Sequence, residues 1–213
     1  MKIIAITGGI ATGKNYISDI FKKFGGEIFD ADFQVHNLLK NNPQIISEVA
    51  KNFPNSLKNQ QIDREILGKI VFEDSEIGKK NLKILEQIIH PQIKINYDEF
   101  IKNNLQNNQK FVLLNIPLIL ESQGQKSYYN YDFLVAIKCH IIVRKNRYIA
   151  RQFKKNPQNF EYLKNIERFN KIVSLQISDQ ERFAKANFII DNNSDLMFLK
   201  NQINNFLLNH ELI

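Results

Sequence analysis

Residues 2 to 21 read KIIAITGGIATGKNYISDIF, and no other stretch of the chain restricts its fold as severely. KIIAI is a short apolar run rich in β-branched residues, the pattern of a buried strand, while GKNYISDIFKKF repeats apolar residues at helical spacing. Between them runs GxxxxGK, from Gly8 to Lys14. A strand, a glycine loop and a helix in that order make a cradle for phosphates. Glycines such as Gly8 and Gly13 let consecutive backbone N–H groups turn towards an anion, and the helix adds the positive end of its dipole. Lys14 then stands as a point charge at the β- and γ-phosphates of a nucleotide. A plain strand-to-helix turn at Gly8 and Gly9 leaves that lysine unexplained.

A chain built around such a unit needs further buried strands, and GGEIFDAD, KFVLLNIP, DFLVAIK and NFIID qualify. Each carries a near-continuous apolar run, as strands of a parallel sheet covered on both faces do. The intervening segments read as helices. DREILGKIVF sets Ile66, Leu67, Ile70 and Val71 on one face. The same period runs from Ser75 to Gln106, with Ser75 the expected cap and Pro91 expected to break or kink the helix just after His90. The fold class is therefore α/β, in three layers around a five-stranded parallel sheet. Residues 33–108 are too long for one crossover and are expected to form a helical substrate-binding insertion. Residues 142–185 are expected to form a helical lid, all within one domain spanning 1–213.

With 213 residues and 43% hydrophobic content, one substantial core can be buried. No run of about 18 apolar residues is present to span a bilayer, and glycines follow Met1 too soon for a signal peptide. A cytoplasmic protein with no membrane partner is expected. The single cysteine, Cys139, excludes an internal disulfide and a thiolate metal cluster, and reads as a small residue near a strand end. A formal charge of +7 and a pI near 9.3 favour anionic partners. Asn, Lys and Ile are so frequent that basicity alone does not argue for nucleic acid.

TGGIATGK, FDAD, HNLL, IDREILGKIVFED, IIHP, IPLILES and ANFIIDNN occur in an order that resembles the dephospho-CoA kinase family, from Met1 to about Asn193. The later segments separate it from other kinases that share the phosphate loop. The resemblance implies a P-loop kinase fold and ATP-dependent phosphorylation of the 3′-hydroxyl of dephospho-CoA. ATP and Mg²⁺ are the implied cofactors, and nucleic acid is not an expected partner. Both substrates are polyanions, which accounts for the basic charge. Two alternatives stand beside this reading: another small-metabolite kinase, such as a nucleoside monophosphate kinase, or a degenerate, non-catalytic nucleotide-binding protein.

Residue by residue, the resemblance implies that Gly8, Gly9, Ala11, Thr12, Gly13, Lys14, Asn15 and Tyr16 hold ATP, with Asn192 bordering the adenine. Asp32 matches the catalytic base. Independently, open α/β sheets bind ligands beyond the C-terminal ends of their strands, where FDAD falls. Asp30 is assigned the helix N-cap. Arg64 would grip the acceptor's pyrophosphate, or else be an exposed arginine at a helix start. His90 would line the acceptor pocket, or else be packed at the helix break; His36 ranks lower. Pro117, Leu118 and Glu121 match the mouth of the acceptor site. Arg147 and Arg151 match lid arginines that neutralise charge on the transferring group. Arg168 competes with them because the segment after Arg151 is longer than the family's lid. Arg144 and Lys145 are assigned to a solvated face, and Cys139 and His140 receive no role.

Asn15 departs from the pattern, since P-loops place a Ser or Thr hydroxyl there as a Mg²⁺ ligand. An amide oxygen is a hard, neutral ligand one bond further from Cα. Mg²⁺ tolerates little deviation from octahedral geometry, so Asn15 is expected to bind the ion directly with a small shift, or through a water.

Overall fold

The computed structural model describes residues 1–116, 119–120 and 129–213. Pro117, Leu118 and Glu121 lie outside the described residues. In chain order the elements are β1 (Lys2–Thr7), α1 (Lys14–Lys23), β2 (Glu27–Asp30), α2 (Ala31–Asn41), α3 (Pro43–Asn52), β3 (Leu57–Lys58), β4 (Gln61–Ile62), α4 (Arg64–Val71) and α5 (Glu76–Gln106). There follow β5 (Phe111–Asn115), β6 (Phe133–Lys138), α6 (Ile141–Lys155), α7 (Tyr162–Leu175), α8 (Asp179–Lys185), β7 (Phe188–Asp191) and α9 (Leu196–Asn209). They divide into two compact units, Met1–Phe29 with Asn104–Ile213, and Asp30–Asn103.

All five apolar runs become strands of one parallel sheet, in the order β2-β5-β1-β6-β7. β1 is central. Ile4 is in register with Leu113 of β5 on one side and Phe133 of β6 on the other. On one face, Ile4 and Ile6 pack with Phe111, Leu113, Val135 and Ile137 beneath Ile17 and Phe21 of α1 and Ile203 and Phe206 of α9. Phe21 meets Phe111 and Phe206 edge-on at 6.3 and 6.2 Å. Each such side chain contributes about 1.5–3 kcal/mol by leaving water, so this cluster anchors β1 beneath α1 and α9. Strand alternation turns Ala5 and Thr7 to the other face, where α8 packs on β6 and Arg182 donates to Thr7 Oγ1 at 2.6 Å.

The second unit is built from helices whose starts are set by polar caps. Asp30 accepts from Phe33 N at 2.9 Å, the role assigned to it from sequence. Asn42 accepts from Gln44 and Ile45 N, with Pro43 at the first turn of α3. Asp63 accepts from Glu65 and Ile66 N and starts α4 at Arg64. Ser75 accepts from Gly78 N at 3.0 Å, as expected of a cap. A β3–β4 hairpin interrupts this helical unit, turning through Asn59 and Gln60, both left-handed with φ of 48° and 62°. Among the described residues, no helix is long and apolar enough to cross a membrane.

Of the break or kink expected at Pro91, the break does not occur: α5 runs from Glu76 to Gln106 with the proline inside. A mid-helix proline loses one N–H···O bond and crowds the preceding turn, at about 3 kcal/mol. Ile89, Ile93 and Tyr97, spaced four apart around it, are all buried, and their combined burial outweighs that cost. The proline itself is exposed, so its ring adds little packing. Pro91→Ala is therefore expected to raise the unfolding free energy by about 1–3 kcal/mol in urea titration; unchanged or lower stability would mean the helix is shaped around the ring.

Candidate functional site

The glycine loop leaves β1 at Thr7 and enters α1 at Lys14. Gly13 is left-handed, with φ of 98°, and a Cβ there would lie 2.5 Å from Asn192 Nδ2. Gly8 is not left-handed; it is required for space, because a Cβ would meet Thr12 Oγ1 at 2.6 Å. The conformational freedom expected of both glycines is thus used at Gly13 alone. Ala11 is also left-handed, φ 58°, a conformation that costs an alanine roughly 1 kcal/mol. The loop closes on itself, with Thr12 N and Oγ1 both donating to Gly9 O, at 3.3 and 2.9 Å. Lys14 Nζ donates to Gly8 O at 2.7 Å, so the lysine reaches back along the loop.

Asn15 and Tyr16, exposed residues in the first turn of α1, complete the expected nucleotide set. Asn115, the last residue of β5, donates from Nδ2 to Asn15 Oδ1 at 3.1 Å. The oxygen proposed from sequence as a metal ligand is therefore oriented by a second amide, which the sequence reading missed. Asn115 is buried, and a polar residue ending an otherwise apolar run was the available signal.

Asn192, buried just beyond β7, donates from Nδ2 to Thr12 O at 2.7 Å. The sequence reading set it beside adenine; its contact here is with the loop backbone. Arg147 approaches the same carbonyl, with Nη1 3.4 Å from Thr12 O and 3.4 Å from Cys139 Sγ. Burial pushes the Cys139 thiol up, with Arg147 and Arg144 opposing. Arg151 lies one turn further along α6 and Arg168 on α7, both exposed. Arg144 is not on a solvated face. It is 3% exposed, and it donates from Nε to Ile10 O at 2.9 Å and from Nη1 to Asp179 Oδ2 at 3.0 Å. Lys145 beside it is half-buried.

In the second unit, Asp32 sits exposed in the first turn of α2. His36, four residues on, shares its face. Arg64 is exposed at the start of α4, as one of its two sequence readings has it, and its Nη1 lies 2.5 Å from Nδ1 of His36, the histidine ranked below it. The Ile66 N–H, with Lys58, holds the Asp63 carboxyl at the same helix start below its usual pKa. His90 is exposed on the continuous α5, which removes the packed-at-a-break alternative. A cavity of about 610 Å³ opens one residue beyond His36, lined mainly by amides including Asn37, Asn41, Gln92 and Asn96.

A glycine turn at the end of the central strand, with a lysine heading the next helix, is how P-loop kinases hold phosphates, and by fold this chain joins that class. The dephospho-CoA kinase family model matches residues 2–197, and the chain belongs to that family. The dephospho-CoA kinase of Bartonella henselae is 34% identical over 203 residues, covering 95% of either chain. That of Bartonella quintana is 36% identical over 196 residues, covering 92% of this chain and 91% of its own. A solved dephospho-CoA kinase from Campylobacter jejuni shares the fold at a TM-score of 0.61 and 24% identity, covering 98% of this chain and 96% of that one.

Replacing Asn192 tests the loop geometry directly. Asn192→Asp sets a carboxylate against the Thr12 carbonyl and leaves it without this donor, at about 1–3 kcal/mol. ADP affinity, read by calorimetry, is expected to fall by roughly 10–100-fold in this variant; an affinity within twofold of the parent would remove Asn192 from the nucleotide site.

Proposed function

We propose that this chain transfers the γ-phosphoryl group of ATP to the 3′-hydroxyl of dephospho-CoA, giving CoA and ADP, the last step of coenzyme A synthesis. The observation that carries this is family membership along residues 2–197; the lysine-headed glycine loop agrees with it. Lys14 and the start of α1 bind the β- and γ-phosphates. Arg147 and Arg151, one turn apart on α6, belong to a lid region and offset negative charge on the transferring group.

Asp32 orients the 3′-hydroxyl and accepts its proton as the oxygen–phosphorus bond forms and the bond to ADP breaks. Arg64, steadied by His36, grips the acceptor's pyrophosphate, with His90 further along that pocket. The amide-lined cavity beside His36 suits the uncharged, amide-bearing pantetheine arm. The reaction is read in a coupled assay with ATP, Mg²⁺ and dephospho-CoA, with the product's 3′-phosphate assigned by NMR. Asp32→Asn is expected to lower kcat by about 10²–10⁴-fold with both KM values little changed. Loss of ATP binding with turnover kept at saturating substrate would move Asp32 out of the chemistry.

Mg²⁺ fits this site only as a companion of the nucleotide. Among the described residues, no group of three or more His, Cys, Asp or Glu could hold a metal ion, and Asn15 offers one neutral oxygen. A Mg²⁺ carried by the phosphates would need no protein cage and would supply positive charge against the transferring group. Asn15 Oδ1, held by Asn115, would meet it directly or through a water. Asn15→Ser restores a hydroxyl at ordinary reach and is expected to lower the free Mg²⁺ needed for half-maximal rate by about threefold or more, with turnover at saturating metal changing less. Equal metal dependence in the two forms would show that the amide coordinates as well as a hydroxyl.

A further inference from the structure

The glycine loop is gripped at Ile10 by side chains to which the proposed reaction assigns no step. Ile10 sits at the tip, and both of its peptide groups are taken. Its N–H donates to Gln176 Oε1 at 2.8 Å, and its carbonyl accepts from Arg144 Nε at 2.9 Å. Gln176 directly follows α7, and Arg144 lies in the first turns of α6. The guanidinium spans two acceptors, because Nη1 reaches Asp179 Oδ2 at 3.0 Å at the head of α8. Its third nitrogen presses on Gly9, where a Cβ would lie 2.2 Å from Nη2. Ala11, the next residue after Ile10, holds a left-handed backbone that an alanine resists. The grip therefore acts on the turn that carries the left-handed alanine, beside the loop's own Thr12–Gly9 hydrogen bonds.

A charge buried this deeply is unfavourable by itself. Burial draws the Arg144 pKa below its usual value, with Asp179 opposing. A hydrophobic side chain would fill the volume without that penalty. What it could not do is fix the Ile10 carbonyl and α8 in one rigid fork.

We propose that Arg144, braced by Asp179, is a positioning residue for nucleotide binding: it holds the Gly9–Ala11 turn in its phosphate-ready shape and ties that turn to α6 and α8. Arg144 touches no substrate in this role. Its loss is felt in ATP and ADP affinity, while acceptor binding is left alone.

Binding of ADP alone and of dephospho-CoA alone, by calorimetry on the full chain, separates this from a purely structural role. Arg144→Met keeps the volume and is expected to weaken ADP about tenfold or more, with dephospho-CoA affinity within twofold. Asp179→Asn is expected to weaken ADP in the same direction but less, and the double variant no more than Arg144→Met, since the pair acts as a unit. Arg144→Lys keeps the charge but cannot serve both acceptors at once, and is expected not to restore affinity. Parental ADP affinity in folded Arg144→Met, or equal loss for both ligands, would overturn the proposal. If Arg144→Met does not fold, Asp179→Asn decides, and unchanged ADP affinity there overturns it as well. ADP binding needs no acceptor, so failure of the proposed reaction would leave this result standing.

Discussion

β1 lies between two parallel partners, and that placement decides what surrounds the loop that leaves it. Because β5 and β6 both pair with β1, their C-terminal ends flank the loop and bring Asn115 and Cys139 to it. β7, next to β6, adds Asn192. The apolar cluster beneath α1 and α9 supplies the stability, and the strand order turns that stability into position. Polar anchors from β5, the β7 end, α6 and the start of α8 reach the loop or its flanks only because the sheet is ordered this way.

Buried arginines mark the other half of the design. Arg144 and Arg182 are among the least exposed side chains of the chain, and each contacts the β1–α1 junction, Arg182 at Thr7 and Arg144 at Ile10. Nearby positive charges raise each other's cost, and Arg182 indeed opposes the charged form of Arg144. Anionic phosphates arriving at the loop relieve that repulsion. Part of the positive charge of this chain is thus buried beside the loop, at Arg144 and Arg182.

The strands were legible because a parallel sheet covered on both faces demands unbroken apolar runs, and KIIAI, KFVLLNIP and DFLVAIK supply them with little else to compete. The loop, the Asp30 and Ser75 caps and the helix start at Arg64 were legible for the same reason: each rests on a short-range rule. What escaped the sequence were interactions between distant segments. Arg144, Arg147 and Arg151 share a helical spacing that suits one solvated face, yet packing turned Arg144 inward to meet Asp179, 35 residues away. Asn115 read as the end of a strand until its partner Asn15 was seen. A break at Pro91 was expected as one of two outcomes because the proline's local penalty is known, while the burial of Ile89, Ile93 and Tyr97 that offsets it depends on tertiary contacts.

The same strand order imposes a schedule on synthesis. β1 is made first, but its register partner in β5 begins at Phe111, after the whole Asp30–Asn103 unit has been made. Until then the apolar run KIIAIT lacks the two strands that pair with its edges in the folded sheet. Gln176 and Asn192 come later still, so a nascent chain carries the full phosphate-loop sequence long before that loop can be held in shape. A nucleotide therefore meets a loop braced by Gln176 and Asn192 only once the chain has been made through Asn192.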